Sequence, residues 1–342
     1  MSRSGAVFDV IASVIRGLPV DSERWRRTCE APLATWQRVL GFEGCAPQFD
    51  RELRGRGLMA TVPTELRQML RESTASALRL GLLAHRQLGE IAALAARHGV
   101  RVMAVKGAAQ LLGGQVPGAR SLSDIDLLVR PADGKRFHSL LASELGYTSE
   151  GPAYPHHLPV LERPASLNVD VHMRLSDCAG AFDDAIWTDT RGVSIEGCPI
   201  ELPSPTSMVL HVLEHGLRLN WMGRYRLRDI LDVATLYTTD VSEAAIREYV
   251  AASGTRRACE ILLSAAHSLE PGVPMFRATA WRTIRRVSRT RLALAALPRD
   301  PRMAERCFRY AGLVAEGSAG SMLRAGRNVV SRLTGAVLRA AA

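Results

Sequence analysis

Ten residues, Arg120-Ser-Leu-Ser-Asp-Ile-Asp-Leu-Leu-Val129, constrain this 342-residue chain more than any other stretch of it. They place Asp124 and Asp126 one residue apart inside an apolar, strand-like run. Successive side chains on a strand alternate faces, so both carboxylates project the same way, with their backbones about 6–7 Å apart. Two anions held that close repel each other unless a cation sits between them. Magnesium, an oxygen-seeking ion commonly held by one or two carboxylates plus substrate phosphates, meets that need. The pair therefore predicts a metal site for phosphate chemistry.

The surrounding pattern says what kind of scaffold carries the pair. Thr64 to His98 repeats Leu66, Leu70, Leu78, Leu82, Leu88, Ile91 and Leu94 at helical spacing, with Gly99 as a stop. Val100 to Val105 reads as a strand running into Lys106-Gly107, and Ala108 to Leu112 as a short helix ended by Gly113-Gly114. The strand Ile125 to Val129 follows, then a helix opened by Pro131 and closed by Gly146. Gly151 to Pro164 reads as a loop or a poorly regular hairpin. Leu167 to His172 alternates strictly, with Leu167, Val169 and Val171 on one face and Asn168, Asp170 and His172 on the other. From Pro205 onward the pattern is helical again. Segregated strands and helices of this kind predict an α+β fold, not a doubly wound sheet. The expected organisation is an N-terminal helical segment over 1–98, a small mixed β-sheet core over 99–204, and a C-terminal helical domain over 205–342 with an arginine-rich end.

Asp124, Asp126 and Asp170 form the candidate catalytic and metal-binding set. They converge if their two strands are neighbours with polar faces aligned. Two-metal phosphoryl transfer needs such a cluster, with ions about 3.5–4 Å apart. One ion would hold a nucleoside triphosphate and stabilise the leaving pyrophosphate, while the other would activate an acceptor hydroxyl; Asp170 would complete the second metal site or take the proton. Lys106, Arg120 and the Ser121 and Ser123 hydroxyls could bind phosphate oxygens, with backbone amides near Gly107 allowing close approach.

Val105-Lys-Gly-Ala108 followed by Arg120-Ser-Leu-Ser-Asp-Ile-Asp-Leu-Leu-Val129 resembles the polymerase β-type nucleotidyltransferase superfamily. It is most similar to a large bacterial set generally described as uncharacterised nucleotidyltransferase family proteins. In that set a Lys-Gly turn precedes Ser-Asp-hydrophobic-Asp, and a later strand ends near an acidic-x-His segment, here Asp170-Val-His172. The resemblance covers about residues 78–240 and is strongest over 104–147. It implies a mixed sheet flanked by helices, magnesium, a nucleoside triphosphate such as ATP as donor, and metal binding at Asp124, Asp126 and Asp170. The wider superfamily clamps the triphosphate with Gly-Ser or Gly-Gly shortly before the first aspartate. This chain instead has Gly107-Ala108, with fifteen residues between Ala108 and Asp124, and Ser121 or Ser123 would substitute. The acceptor, whether small molecule, peptide, protein or RNA, is not written in the sequence.

Charge supplies a second class of function. Arg277 to Ala342 holds fourteen arginines against Asp300, Glu305 and Glu316, whereas the rest of the chain is nearly neutral. Such asymmetry points to RNA, an anionic membrane surface or an acidic protein. The runner-up reading is thus an inactive nucleotidyltransferase-fold protein that binds through this basic end, where Ser321 to Ala340 patterns as a basic amphipathic helix. Because only Lys106 and Lys135 are lysines, arginine usage here looks genomic, and the isoelectric point carries little weight. His211-Val-Leu-Glu-His215 matches an inverted zinc-protease pattern, but no third ligand is apparent. Arg226-Leu-Arg-Asp-Ile-Leu-Asp232 sets Asp229 and Asp232 on one helix face, most simply as ion pairs. Six scattered cysteines without a Cys-x-x-Cys pair read as reduced thiols. With no predicted signal peptide or bilayer span, the expected location is cytoplasmic.

Overall fold

A computed structural model describes residues 3–150, 157–175, 185–218, 225–238, 240–253 and 256–295, with backbone alone for 215–218 and 289–295. The predicted helix at Ser321 to Ala340, residues 296–309 of the basic stretch, Cys178, Cys307 and the His215 side chain lie outside what is described.

Five helices come first: α1 (Arg3–Ile15), α2 (Ser22–Cys29), α3 (Leu33–Glu43), α4 (Ala46–Gly55) and α5 (Thr64–Arg97). The mixed region holds β1 (Val102–Ala104), α6 (Lys106–Leu112), β2 (Asp124–Val129), α7 (Pro131–Leu145), β3 (Thr148–Ser149), β4 (Leu161–Glu162), β5 (Asn168–His172), β6 (Thr190–Ile195) and β7 (Cys198–Pro203). Helices α8 (Pro205–Arg218), α9 (Leu227–Leu236), α10 (Glu243–Ala252), α11 (Arg256–His267) and α12 (Ala280–Ala295) follow.

Among the described residues the strands form one sheet in the order β3-β4-β5-β2-β1-β7-β6. Strand β2 runs antiparallel to β1 and parallel to β5, and β1 runs parallel to β7. The sheet is therefore mixed, and the α+β expectation holds. The edge pair β6–β7 is a hairpin whose turn, Glu196-Gly197, has both φ angles positive (+50° and +82°). This twist matches that of the flanking strands, and glycine takes the second position at little strain.

Alternation decides which side of the sheet packs. Ile125, Leu127 and Val129 of β2 and Val169 and Val171 of β5 enter a continuous core with Leu88, Ile91 and Leu94 of α5. The same cluster reaches Val7 and Ile11 of α1 and Ile284 and Val287 of α12. On the opposite side of the sheet a small second cluster joins Met103, Val105 and Leu128 to Ile186 and Trp187. Helix α5, about 51 Å long at 1.5 Å per residue, is fixed to the start of β5 by buried Gln87. Its amide donates to Leu167 O and Tyr147 Oη, and its oxygen accepts from Leu167 N.

Candidate active site

The register of two strands builds the site. Asp126 pairs with Asp170 across the parallel β2–β5 ladder, and Leu128 pairs with His172. Adjacent strands lie about 4.8 Å apart, so the carboxylates of Asp126 and Asp170 emerge side by side from one face. Together with His172 they form a group in which one ligand atom from each lies within 4.8 Å of the others. Asp124 projects from the same face one pleat earlier, opposite Asn168, and stands outside this tight group.

The Lys-Gly turn meets the same point for a topological reason. Val105 donates its backbone N–H to Asp126 O, which closes the β1–β2 ladder, and the chain then turns at once into α6. Lys106 makes that turn with φ +53°, a left-handed conformation that disfavours any side chain, commonly by about 1–2 kcal/mol. Its ammonium lands 2.5 Å from Asp126 Oδ1, where the His172 ring nitrogen also bonds at 2.8 Å. Both contacts converge on Oδ1, and none reaches Oδ2.

These neighbours split the two acids. Burial pushes the Asp126 carboxyl up most strongly, but the Lys106 ammonium and His172 together outweigh it and hold Asp126 well below the usual carboxylate range. Asp170 goes the other way: burial first, then the Asp126 charge beside it, raises its pKa. Its Oδ1 is buried with no hydrogen-bond partner. A buried carboxylate oxygen left bare is costly by about 1–3 kcal/mol or more, and the residue paired with Asp170 across the ladder is itself an acid.

Gly107 is fixed by contact. A Cβ there would lie 2.3 Å from Arg120 Nη1 and 2.4 Å from Leu122 Cδ2. The space that glycine opens is thus filled by the incoming loop, which seats Arg120 against α6. The Arg120 guanidinium bonds Asp232 on α9 through Nε and Nη2, both at 3.0 Å. Ser123 donates to Asp124 Oδ1 at 3.0 Å, whereas Ser121 is set back from the cleft.

A family model described as uncharacterised nucleotidyltransferase matches residues 33–270, more than two thirds of the chain. The chain belongs to that nucleotidyltransferase family. Among solved structures it is similar to an antigenic nucleotidyltransferase-like protein from Paracoccidioides brasiliensis, at 16% identity and a TM-score of 0.32, over 52% of this chain and 91% of that one. That likeness is too slight to carry an argument. No curated protein matches the chain.

The span matched by the family model runs from α3 through α11, so it takes in both walls of a cleft beside the acids. Lys106, Gly107 and Gln110 of α6, with Ser123, Asp124 and Asp126, form one wall; Met208, His211 and Val212 of α8 and the Arg226-to-Leu236 face of α9 form the other. They bound a cavity of about 120 Å³. Asp170 and His172 stand beside Asp126, one strand away from this lining. Two further ion pairs cross or edge the cleft. Arg226 clasps Asp229 through two 3.0 Å bonds, and Arg120 does the same for Asp232. Burial disfavours both arginine charges, but these carboxylates more than offset it and raise both pKa values.

Sequence reasoning had placed Asp229 and Asp232 in ion pairs but not with these partners, since Arg120 lies 112 residues from Asp232. His172, on the polar face of β5 visible in the alternation, supports Asp126 from beside it. Arg228 lies inside the Arg226-to-Asp232 motif, but its lack of a close partner is seen only in three dimensions, and Gln110 gave no pattern in the sequence.

Proposed function

We propose that the chain transfers a nucleoside monophosphate group from a nucleoside triphosphate to an acceptor hydroxyl, amine or phosphate, releasing pyrophosphate, in the manner of polymerase β-type nucleotidyltransferases. The observation that carries this reading is the in-register Asp126–Asp170 pair, with one oxygen of Asp170 buried and bare beside a cleft rich in arginine. The donor set fits a hard divalent cation: Asp126 Oδ2, Asp170 Oδ1 and the Asp124 carboxylate are oxygens that protein donors leave available or only partly engaged. Magnesium held there would neutralise the triphosphate and lower the pKa of an acceptor hydroxyl.

The chain's own groups then have distinct tasks. His172 fixes the orientation of Asp126 through its 2.8 Å bond, as second partners of metal-binding carboxylates do. Lys106 balances the Asp126 charge and sits where its ammonium can turn to a phosphate oxygen. Asp170 either completes the cation site through Oδ1 or takes the acceptor's proton. Positioning and electrostatics supply most of the rate in such chemistry.

The test is incubation of the purified chain with each α-labelled nucleoside triphosphate and magnesium, with and without cell extract as a source of acceptor. Labelled product should form and fall on the order of 10³-fold in Asp124→Ala and in Asp126→Ala. Absence of product with every nucleotide, together with absence of nucleotide binding by calorimetry, would overturn the reading.

A further inference from the structure

Four cations line the cleft, and three of them are matched: Lys106 by Asp126, Arg120 by Asp232, Arg226 by Asp229. Arg228 is different. Its side chain is three-quarters buried, and its Nε is sealed from solvent without a hydrogen-bond partner. Asp229 Oδ1 lies 4.0 Å from that Nε, beyond hydrogen-bond reach, and this carboxylate is already clasped by Arg226. Burial first, and then the neighbouring Arg226 and Arg120 charges, pull Arg228 below its ordinary pKa. Asp229 and Asp232 only partly offset this; a mostly buried cation beside other cations is unfavourable in an isolated protein, and packing alone would select an apolar side chain of the same length.

The seat is nevertheless built. Glu43, the last residue of α3, accepts from Leu227 N and so caps α9 at the residue before Arg228. Gly44 follows at φ +64°, and a Cβ there would come within 3.2 Å of Arg228 Cδ. Two adjacent residues of α3's end thus fix the arginine's backbone and clear the path of its stem. The same cavity holds a second unmatched group. Gln110 is only 5% exposed, and its Oε1 is buried without a partner. Both side chains line a space that is also bounded by Asp124 and Asp126.

We propose that Arg228 is the anion handle of this cleft and binds a phosphate of a polyphosphate tail through the terminal nitrogens of its guanidinium, which the buried Nε leaves as the accessible end. The cleft is bipolar, with acids at its β2 wall and arginines at its α9 wall. A simple carboxylate ligand would satisfy only the second, whereas a polyphosphate that chelates a divalent cation satisfies both. Guanidinium suits the task because its planar fork engages two phosphate oxygens at once. The identity of the anion rests on the nucleotidyl-transfer reading; the existence of an anion site does not.

The test is calorimetric titration of inorganic tripolyphosphate into metal-chelated wild-type protein and Arg228→Met, which keeps the stem and removes the charge. Binding should weaken about 10- to 100-fold, while the ligand-free variant melts at or above the wild-type temperature. Equal affinity in the two proteins would overturn the proposal and leave ordered water as the partner of Nε. A variant that melts well below wild type would overturn it also, because Arg228 would then be a structural group. Should Arg228→Met not fold, Arg228→Lys decides: a loss of several-fold or more supports the handle, and unchanged affinity overturns it. Wild type that binds tripolyphosphate but transfers no nucleotide retires the reaction and keeps the handle. Nucleotide transfer with an unchanged KM in the variant keeps the reaction and retires the handle.

Discussion

Two buried glutamines meet opposite fates in this molecule. Gln87 on α5 has both amide protons and its oxygen engaged, by Leu167 and Tyr147, where helix meets sheet. Gln110 on α6, nearly as buried, leaves its oxygen bare in the cleft. The acids repeat the contrast. Asp9 on α1 has one oxygen on Arg24 of α2 and the other on Arg285 of α12, whereas Asp170 Oδ1 has no partner. Folded proteins pair nearly all buried polar groups. Bare buried groups also occur away from the cleft, among them Trp36 Nε1, Gln48 Oε1 and Ser288 Oγ, but those at Asp170, Gln110 and Arg228 gather around one cleft and are of the kinds that a cation and a phosphate would complete.

The comparison can be broken most forcefully at Asp9. Replacing both Arg24 and Arg285 with methionine removes two guanidinium partners from a fully buried carboxylate and should cost about 3–5 kcal/mol, read by denaturant unfolding. A negligible loss would show that the paired region owes little to its ion pairs. Next in size is Gln87→Leu, which leaves the Leu167 amide and carbonyl and the Tyr147 hydroxyl unmet. It should cost about 2–3 kcal/mol, whereas Gln110→Leu should be neutral or stabilising in the ligand-free protein. Equal losses in the two variants would erase the distinction. Gly107→Ala should cost about 1–3 kcal/mol by forcing Arg120 and Leu122 off α6, with thermal melting as the readout.

The gentlest probe is pH. Burial opposes the Glu260 charge, but Arg256 and Arg277 outweigh it and lower its pKa. Its stabilising effect is therefore present above the unfolded carboxylate pKa and is lost as pH falls through the lowered folded value. Asp170 is raised, so its effect runs the other way: the chelated protein loses stability as pH rises through the raised folded value. Glu260→Gln should accordingly matter least at low pH, and Asp170→Asn should stabilise most near neutrality. Urea midpoints measured across pH 3 to 7 check both signs, and parallel pH profiles for the two variants would refute the contrast.

Much of this arrangement was legible because it follows short periods. The alternation from Leu167 to His172 announced which face of β5 enters the core, and Asp124-Ile-Asp126 announced the polar face of β2. Helix ends at Gly99, Gly113 and Gly146 followed from local chemistry, and the glycines at 99 and 146 take left-handed backbone. The β6–β7 hairpin escaped because Glu-Gly is a weaker turn signal than Asn-Gly and its first strand is mostly exposed. The Arg120–Asp232 clasp and the Glu43 cap on Leu227 span 112 and 184 residues, and no local pattern encodes such pairings. Arg228 was hidden for a related reason: what marks it is the partner it lacks, and that is visible only in three dimensions.

The central claim is that acids from two parallel strands hold a divalent cation together with a polyphosphate. Manganese, which shares magnesium's preference for oxygen ligands, reports on this directly through its electron paramagnetic resonance signal. Titrated into the wild-type chain without nucleotide, whose own phosphates would take up the ion, it should lose its free-ion signal, and this loss should vanish in Asp126→Asn and Asp170→Asn. Undiminished manganese binding in both variants, or none in the wild type, would contradict the account.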